Sequence, residues 1–107
     1  MAAAEHPTHC ARFHRAVELV GKRWTGFILR ALLQRPRRFR DFAEAIPEIS
    51  DRLLSERLKE LEELGLVQRE VQDNRPPRVS YRLTPKGRAL RQTLGSLDQW
   101  AHRWGER

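Results

Sequence analysis

A chain of 107 residues, 39% hydrophobic and 33% charged, has room for one small domain with a thin core. Its net charge of +7 points to an anionic partner, either nucleic acid or a membrane surface. No membrane span is available, because the longest apolar stretch, Phe27-Ile28-Leu29 with Ala31-Leu32-Leu33, is interrupted by Arg30. The opening Met1-Ala2-Ala3-Ala4-Glu5-His6-Pro7 lacks the basic start and apolar run of a secretion signal, so the expected location is the cytoplasm. Cys10, the single cysteine, forbids an intramolecular disulfide and agrees with a reducing compartment.

In chain order, residues 1–9 carry no periodicity and are expected to form a mobile arm, with the folded domain over 10–105. Phe13, Ala16, Val17 and Val20 recur at helical steps from Cys10 to Val20, and Gly21 ends that helix. A second helix spans Trp24 to Leu33, with Trp24, Phe27, Ile28, Ala31 and Leu32 facing the core. Arg37-Arg38-Phe39-Arg40 reads as a short extended stretch leading into a brief helix over Asp41–Ala45. A tight turn through Pro47 and Ile49 follows. Ser50 is a good N-cap, because its hydroxyl can accept from a free N–H at a helix start, and the helix it opens runs to Leu64 before Gly65.

Beyond Gly65 the pattern alternates. Leu66–Val71 and Val79–Leu83 are the expected strands, joined by a long turn-rich tip over Gln72–Arg78. Thr84-Pro85 then starts a last helix that is apolar at Leu90, Leu94, Leu97, Ala101 and Trp104.

A short helix, a tight turn and a longer capped helix form the unit that lays one helix into a major groove. On the longer helix Leu54, Leu58, Leu61 and Leu64 fall to one side. Asp51, Arg52, Ser55, Glu56 and Lys59 fall to the other, so a polar face is available. Base edges call for short donors and acceptors, which Ser50, Asp51, Arg52 and Ser55 supply in the first turns. Arg57 and Lys59 are placed to reach phosphates, while Glu60, Glu62 and Glu63 keep to the far end.

Cations flank this helix on both sides. Arg35, Arg37, Arg38 and Arg40 precede the short helix. From Asn74 to Leu97 there are six basic residues and no acidic one. Arg75 and Arg78 sit at a hairpin tip stiffened by Pro76-Pro77, where an arginine can follow the negative potential of a minor groove. The expected fold is mainly α (α+β): a winged helix-turn-helix with a two-stranded hairpin wing, and the expected partner is double-stranded DNA.

The chain resembles the HxlR-type winged-helix regulators, relatives of the MarR-type proteins. The resemblance is carried by Gly21-Lys22-Arg23-Trp24-Thr25, Ile28-Leu29-Arg30-Ala31-Leu32, Leu53-Leu54-Ser55-Glu56-Arg57-Leu58-Lys59-Glu60-Leu61, Gly65-Leu66-Val67 and, most specifically, Pro77-Arg78-Val79-Ser80-Tyr81-Arg82-Leu83-Thr84-Pro85-Lys86-Gly87. At Gly21-Lys22 the chain departs from the two glycines that commonly precede a single lysine in the family. The resemblance implies a homodimer whose first and last helices meet, through Phe13, Val17, Leu90, Leu94, Leu97, Trp100, Ala101 and Trp104. Trp100 and Trp104, with Phe13 and Val17, also supply more apolar surface than so small a body can bury. Two copies would set their recognition helices about 34 Å apart and read a palindromic operator.

Cys10 resembles the N-terminal cysteine with which some family members sense oxidants or electrophiles. Thiolate is the reactive form, and a helix start with Arg12 and Arg15 nearby would favour it. A buried, inert cysteine is the equal alternative. His6, His9, Cys10 and His14 do not match a closed four-ligand metal spacing, so no metal is expected. The dimer reading leaves room for a small-molecule effector, which nothing in the sequence identifies. No phosphate loop, acid pair or nucleophile–base arrangement is present, so neither enzyme activity nor a cofactor is expected. The competing reading is a winged-helix module for RNA or a protein partner.

Overall fold

The computed structural model describes residues 7–105, with side chains from Ala11 onward. Among the described residues nine short elements follow one another: α1 (Pro7–Gly21), α2 (Thr25–Gln34), β1 (Arg37–Arg38), α3 (Phe39–Ala45), α4 (Asp51–Glu63), β2 (Val67–Gln72), β3 (Arg78–Leu83), α5 (Pro85–Arg88) and α6 (Arg91–Trp104). The three strands form one antiparallel sheet in the order β1-β3-β2. The fold is a winged helix-turn-helix. Its wing is the β2–β3 hairpin, and the extended stretch before α3 joins the sheet as a third strand.

Local chemistry explains most of the boundaries. Proline at the first position of α1 lacks an N–H that the helix could not have used, and α1 accordingly begins three residues ahead of Cys10. Residues 1–6 lie outside the described residues. The Ser50 hydroxyl accepts from Leu53 N–H at 3.1 Å and opens α4. Gly65 closes that helix at φ 78, a left-handed backbone that costs glycine nothing. Thr84 caps α5 in the same way, accepting from Gly87 N–H at 3.1 Å. The expected single last helix is in fact two, α5 and α6, separated at Ala89-Leu90.

One core holds these pieces together. Ile28 and Leu29 of α2, Phe42 of α3 and the Leu54, Leu58, Leu61 stripe of α4 are almost wholly buried, with Leu66, Val67 and Leu83 closing the sheet side. Leu64, expected on that stripe, is exposed instead. It stands at the C-cap, and Leu66, past the Gly65 turn, fills the buried position. Trp24 is only partly buried against the core, and Phe27 faces outward into an apolar groove shared with Leu94, Leu97 and Ala101 of α6. The molecule is long for its size. Its radius of gyration is 16.0 Å, against about 13 Å for a compact chain of this length.

Candidate nucleic-acid interface

The leucine stripe decides which side of α4 can meet another molecule. With Leu54, Leu58 and Leu61 turned into the body, Asp51, Arg52, Ser55, Glu56 and Lys59 are exposed on the opposite side. Ser50 is exposed at the N-terminus. Its oxygen is taken up by the cap, but its O–H proton remains available for an outside acceptor. Arg52 lies 3.4 Å from Glu56, one turn on, and its side chain is 91% exposed. A pair this open contributes a few tenths of a kcal/mol, about 0.3, so a phosphate can displace it.

Two arginines expected at the interface are consumed elsewhere. Arg57 is one residue from Leu58 and so lies on the flank of the buried stripe rather than on the polar face. Its side chain is 13% exposed, with Nε donating to the Arg23 carbonyl at 3.0 Å and Nη1 lying 3.3 Å from Glu60 Oε2. Arg37 is buried as well, donating from Nε to the Ala31 carbonyl at 3.1 Å and from Nη2 to Gln34. The last carbonyls of a helix have no internal partner and carry negative character, and Arg37 closes the end of α2 on that account. Strand alternation supplies the reason. Arg37 pairs with Tyr81 and shares its core-facing side, whereas Arg38 pairs with Ser80 on the other side.

Arg38 is therefore the part-exposed member of this cluster, its own N–H donating to Asp41 Oδ2 at 2.9 Å, and Arg40 is exposed on α3. On the wing, Arg75 at the tip and Arg78 at the start of β3 are both exposed. Arg69 of β2 adds an exposed cation there. It alternates with Val67, which is buried, and Val71, which is exposed, and that mixed pattern hid it in the sequence. Arg82 is balanced by Glu70 across the hairpin at 3.1 Å.

Three basic residues after the wing bond to the chain's own backbone. Lys86 donates to the Leu64 carbonyl, Arg88 to Leu83 and Arg91 to Leu33, each at the end of a helix or strand.

Of the expected pairing residues, Phe13, Val17, Leu97, Trp100, Ala101 and Trp104 are exposed, whereas Leu90 and Leu94 pack against the protomer's own core. Cys10 falls within α1, and His14, one turn on, sits 3.3 Å from Glu18.

A family model described as HxlR-like helix-turn-helix matches residues 19–107. The chain belongs to the HxlR family. It is 46% identical over 95 residues to the HTH-type transcriptional regulator YvaP of Bacillus subtilis, covering 89% of this chain and 88% of YvaP. The reduced form of the B. subtilis transcriptional regulator YodB superposes with a TM-score of 0.81 at 42% identity, covering 89% and 93% of the two chains. The redox regulator HypR in its reduced form gives 0.82 at 32% identity, over 86% and 91%. YodB is also known in diamide-treated and quinone-bound forms, and HypR in an oxidised form. This HxlR-family chain is thus a DNA-binding transcriptional regulator of the helix-turn-helix type.

Proposed function

We propose that this regulator reads a specific duplex sequence as a homodimer, with α4 of each protomer in a major groove and the β2–β3 wing along the adjoining minor groove. One observation carries the reading. α4 buries its leucines and exposes Ser50, Asp51, Arg52 and Ser55 at its N-terminal end, the part of a recognition helix that reaches base edges. Arg40, Lys59, Arg69, Arg75 and Arg78 supply exposed cations for the backbone on either side, with Arg38 partly exposed among them. RNA reading calls for exposed aromatics on which bases stack. The exposed aromatics here, Phe13, Phe27, Trp100 and Trp104, lie on α1, α2 and α6, not on α4 or the wing.

The test is selection from a random duplex pool, followed by competition of the selected duplex against scrambled duplex, single-stranded DNA and RNA at two salt concentrations. Preference for the selected duplex is expected, and equal affinity for all four would overturn the reading. Arg52→Ala and Ser55→Ala should each cost about 1–3 kcal/mol on the selected duplex and relax base preference at single positions. Binding to scrambled duplex should change little with Ser55→Ala.

Pairing is supported by shape and by exposed apolar surface. On a chain with a 61 Å long axis, α1 packs on α2 through Leu19 but leaves Phe13 and Val17 exposed, and the exposed Trp100 and Trp104 at the end of α6 hold apolar area that a twofold partner can cover. The expected operator is palindromic.

A redox response through Cys10 is proposed on the strength of its place early in α1, the exposed Arg12 and Arg15 that follow, and the redox states in which the neighbours are known. Oxidant should release the protein from its duplex and give a band of twice 12.6 kDa without reductant. Release that persists in Cys10→Ser would sink the assignment.

A further inference from the structure

Two polar contacts tie the middle of α4 to the turn between α1 and α2, and a third, within α4, couples them. Lys22 Nζ donates to Glu60 Oε2 at 3.0 Å. Arg57 Nη1 lies 3.3 Å from that same oxygen, and Arg57 Nε donates to the Arg23 carbonyl at 3.0 Å. The turn they grip is a firm anchor. Trp24, next to Arg23, stands at φ 75, a left-handed backbone that a bulky residue keeps only where its surroundings over-determine it. Its ring is packed between Phe27, 5.7 Å away between centroids, and the Arg23 guanidinium at 5.2 Å.

The leucine stripe presses α4 onto the core, but apolar attraction has no direction and leaves a helix some freedom to roll. Hydrogen bonds do have direction. Arg57 and Glu60 sit on one flank of the stripe, so contacts from that flank to a fixed turn stop the roll. The roll determines where Arg52 and Ser55 point.

We propose that Glu60, together with Lys22 and Arg57, sets the roll of the recognition helix and is a specificity-determining positioning residue that itself touches no DNA. The proposal rests on the DNA-reading assignment of α4. It also makes an unusual sign prediction. Removing an anion from a DNA-binding helix should by charge alone strengthen binding to every duplex. Removing a positioning anion should weaken the cognate duplex selectively.

Glu60→Gln, Lys22→Met and Arg57→Lys would be compared with wild type by fluorescence anisotropy. The two probes are a duplex selected in vitro by the wild-type protein and a scrambled duplex of equal length, with thermal melts alongside. Each variant is expected to lower the selected-to-scrambled affinity ratio about tenfold, the scale of one misplaced base contact. Lys22→Met with Glu60→Gln should lose no more than the larger single change, because the two act in one contact. For Glu60→Gln and Arg57→Lys the salt dependence on scrambled duplex should stay at the wild-type slope.

Tighter binding of both duplexes by Glu60→Gln, or an unchanged ratio with a lowered melting temperature, would overturn the proposal. If Glu60→Gln does not fold, Lys22→Met, at a half-exposed lysine, decides the matter by the same ratio. A wild-type protein that fails to discriminate the two duplexes defeats the DNA-reading assignment together with the proposal. Wild-type discrimination with unaltered variants defeats the proposal alone.

Discussion

A chain carrying Trp100→Ala and Trp104→Ala is expected to sediment at its monomer mass of 12.6 kDa and to lose retention on its selected duplex at concentrations that saturate the wild type. Both rings lie on one stripe of α6 with Leu97 and Ala101, and they are 59% and 64% exposed in the protomer. They are therefore available to a second copy and contribute little to the fold of the first. Buried aromatic anchors at interface centres cost about 2–4 kcal/mol each when truncated, and a twofold axis presents each of them twice. The dimer dissociation constant should rise by at least about a thousandfold, even allowing for non-additivity. Loss of pairing separates the two half-site contacts, and with them an avidity gain of about 10²–10⁴. Leu90 and Leu94 still join α6 to the core, so cooperative melting should persist. Analytical ultracentrifugation and gel retardation read both effects. A double variant that remains at twice the monomer mass would show that α6 is not the pairing element.

The second large effect belongs to the wing. Arg75 and Arg78 are exposed, and among the described residues neither enters a hydrogen bond or ion pair with its own chain, in contrast to Arg82 beside Glu70. Replacing both by alanine removes four charges from a dimer. Each lost phosphate contact flattens the log affinity against log salt plot by about 0.9, so a change of up to about 3.6 is expected. The loss should fall alike on selected and scrambled duplexes, because a hairpin tip in a minor groove follows potential more than base identity. Titrations at four salt concentrations measure the slope. An unaltered slope would remove the wing from the interface.

These two variants draw on features that the linear chain displays openly. The stripe Leu54, Leu58 and Leu61, the Ser50 cap, the Gly65 stop and the Thr84-Pro85 start each depend on neighbours within a few residues, so periodicity and capping chemistry suffice to find them. The polar face of α4 and the wing tip follow from the same local rules. The fold class and the surplus apolar residues Phe13, Val17, Trp100 and Trp104 are accordingly legible in the chain itself.

Cations were harder, because an arginine has the same charge whether it faces water or a carbonyl. Arg37 and Arg57 look no different from Arg38 and Arg52 along the chain. What separates them is the unpaired end of α2 beside one and the Arg23 carbonyl, 34 residues earlier, beside the other. β1, at two residues, is too short to show a period, and it becomes a strand only because β3 lies next to it. Phe27 likewise belongs to an apolar helix face in the sequence and to an open groove in space, since α6 approaches without covering it. Local pattern specifies which elements form and which side of each is apolar. Which charges remain free depends on contacts between residues distant in sequence, and those exist only once the elements have packed.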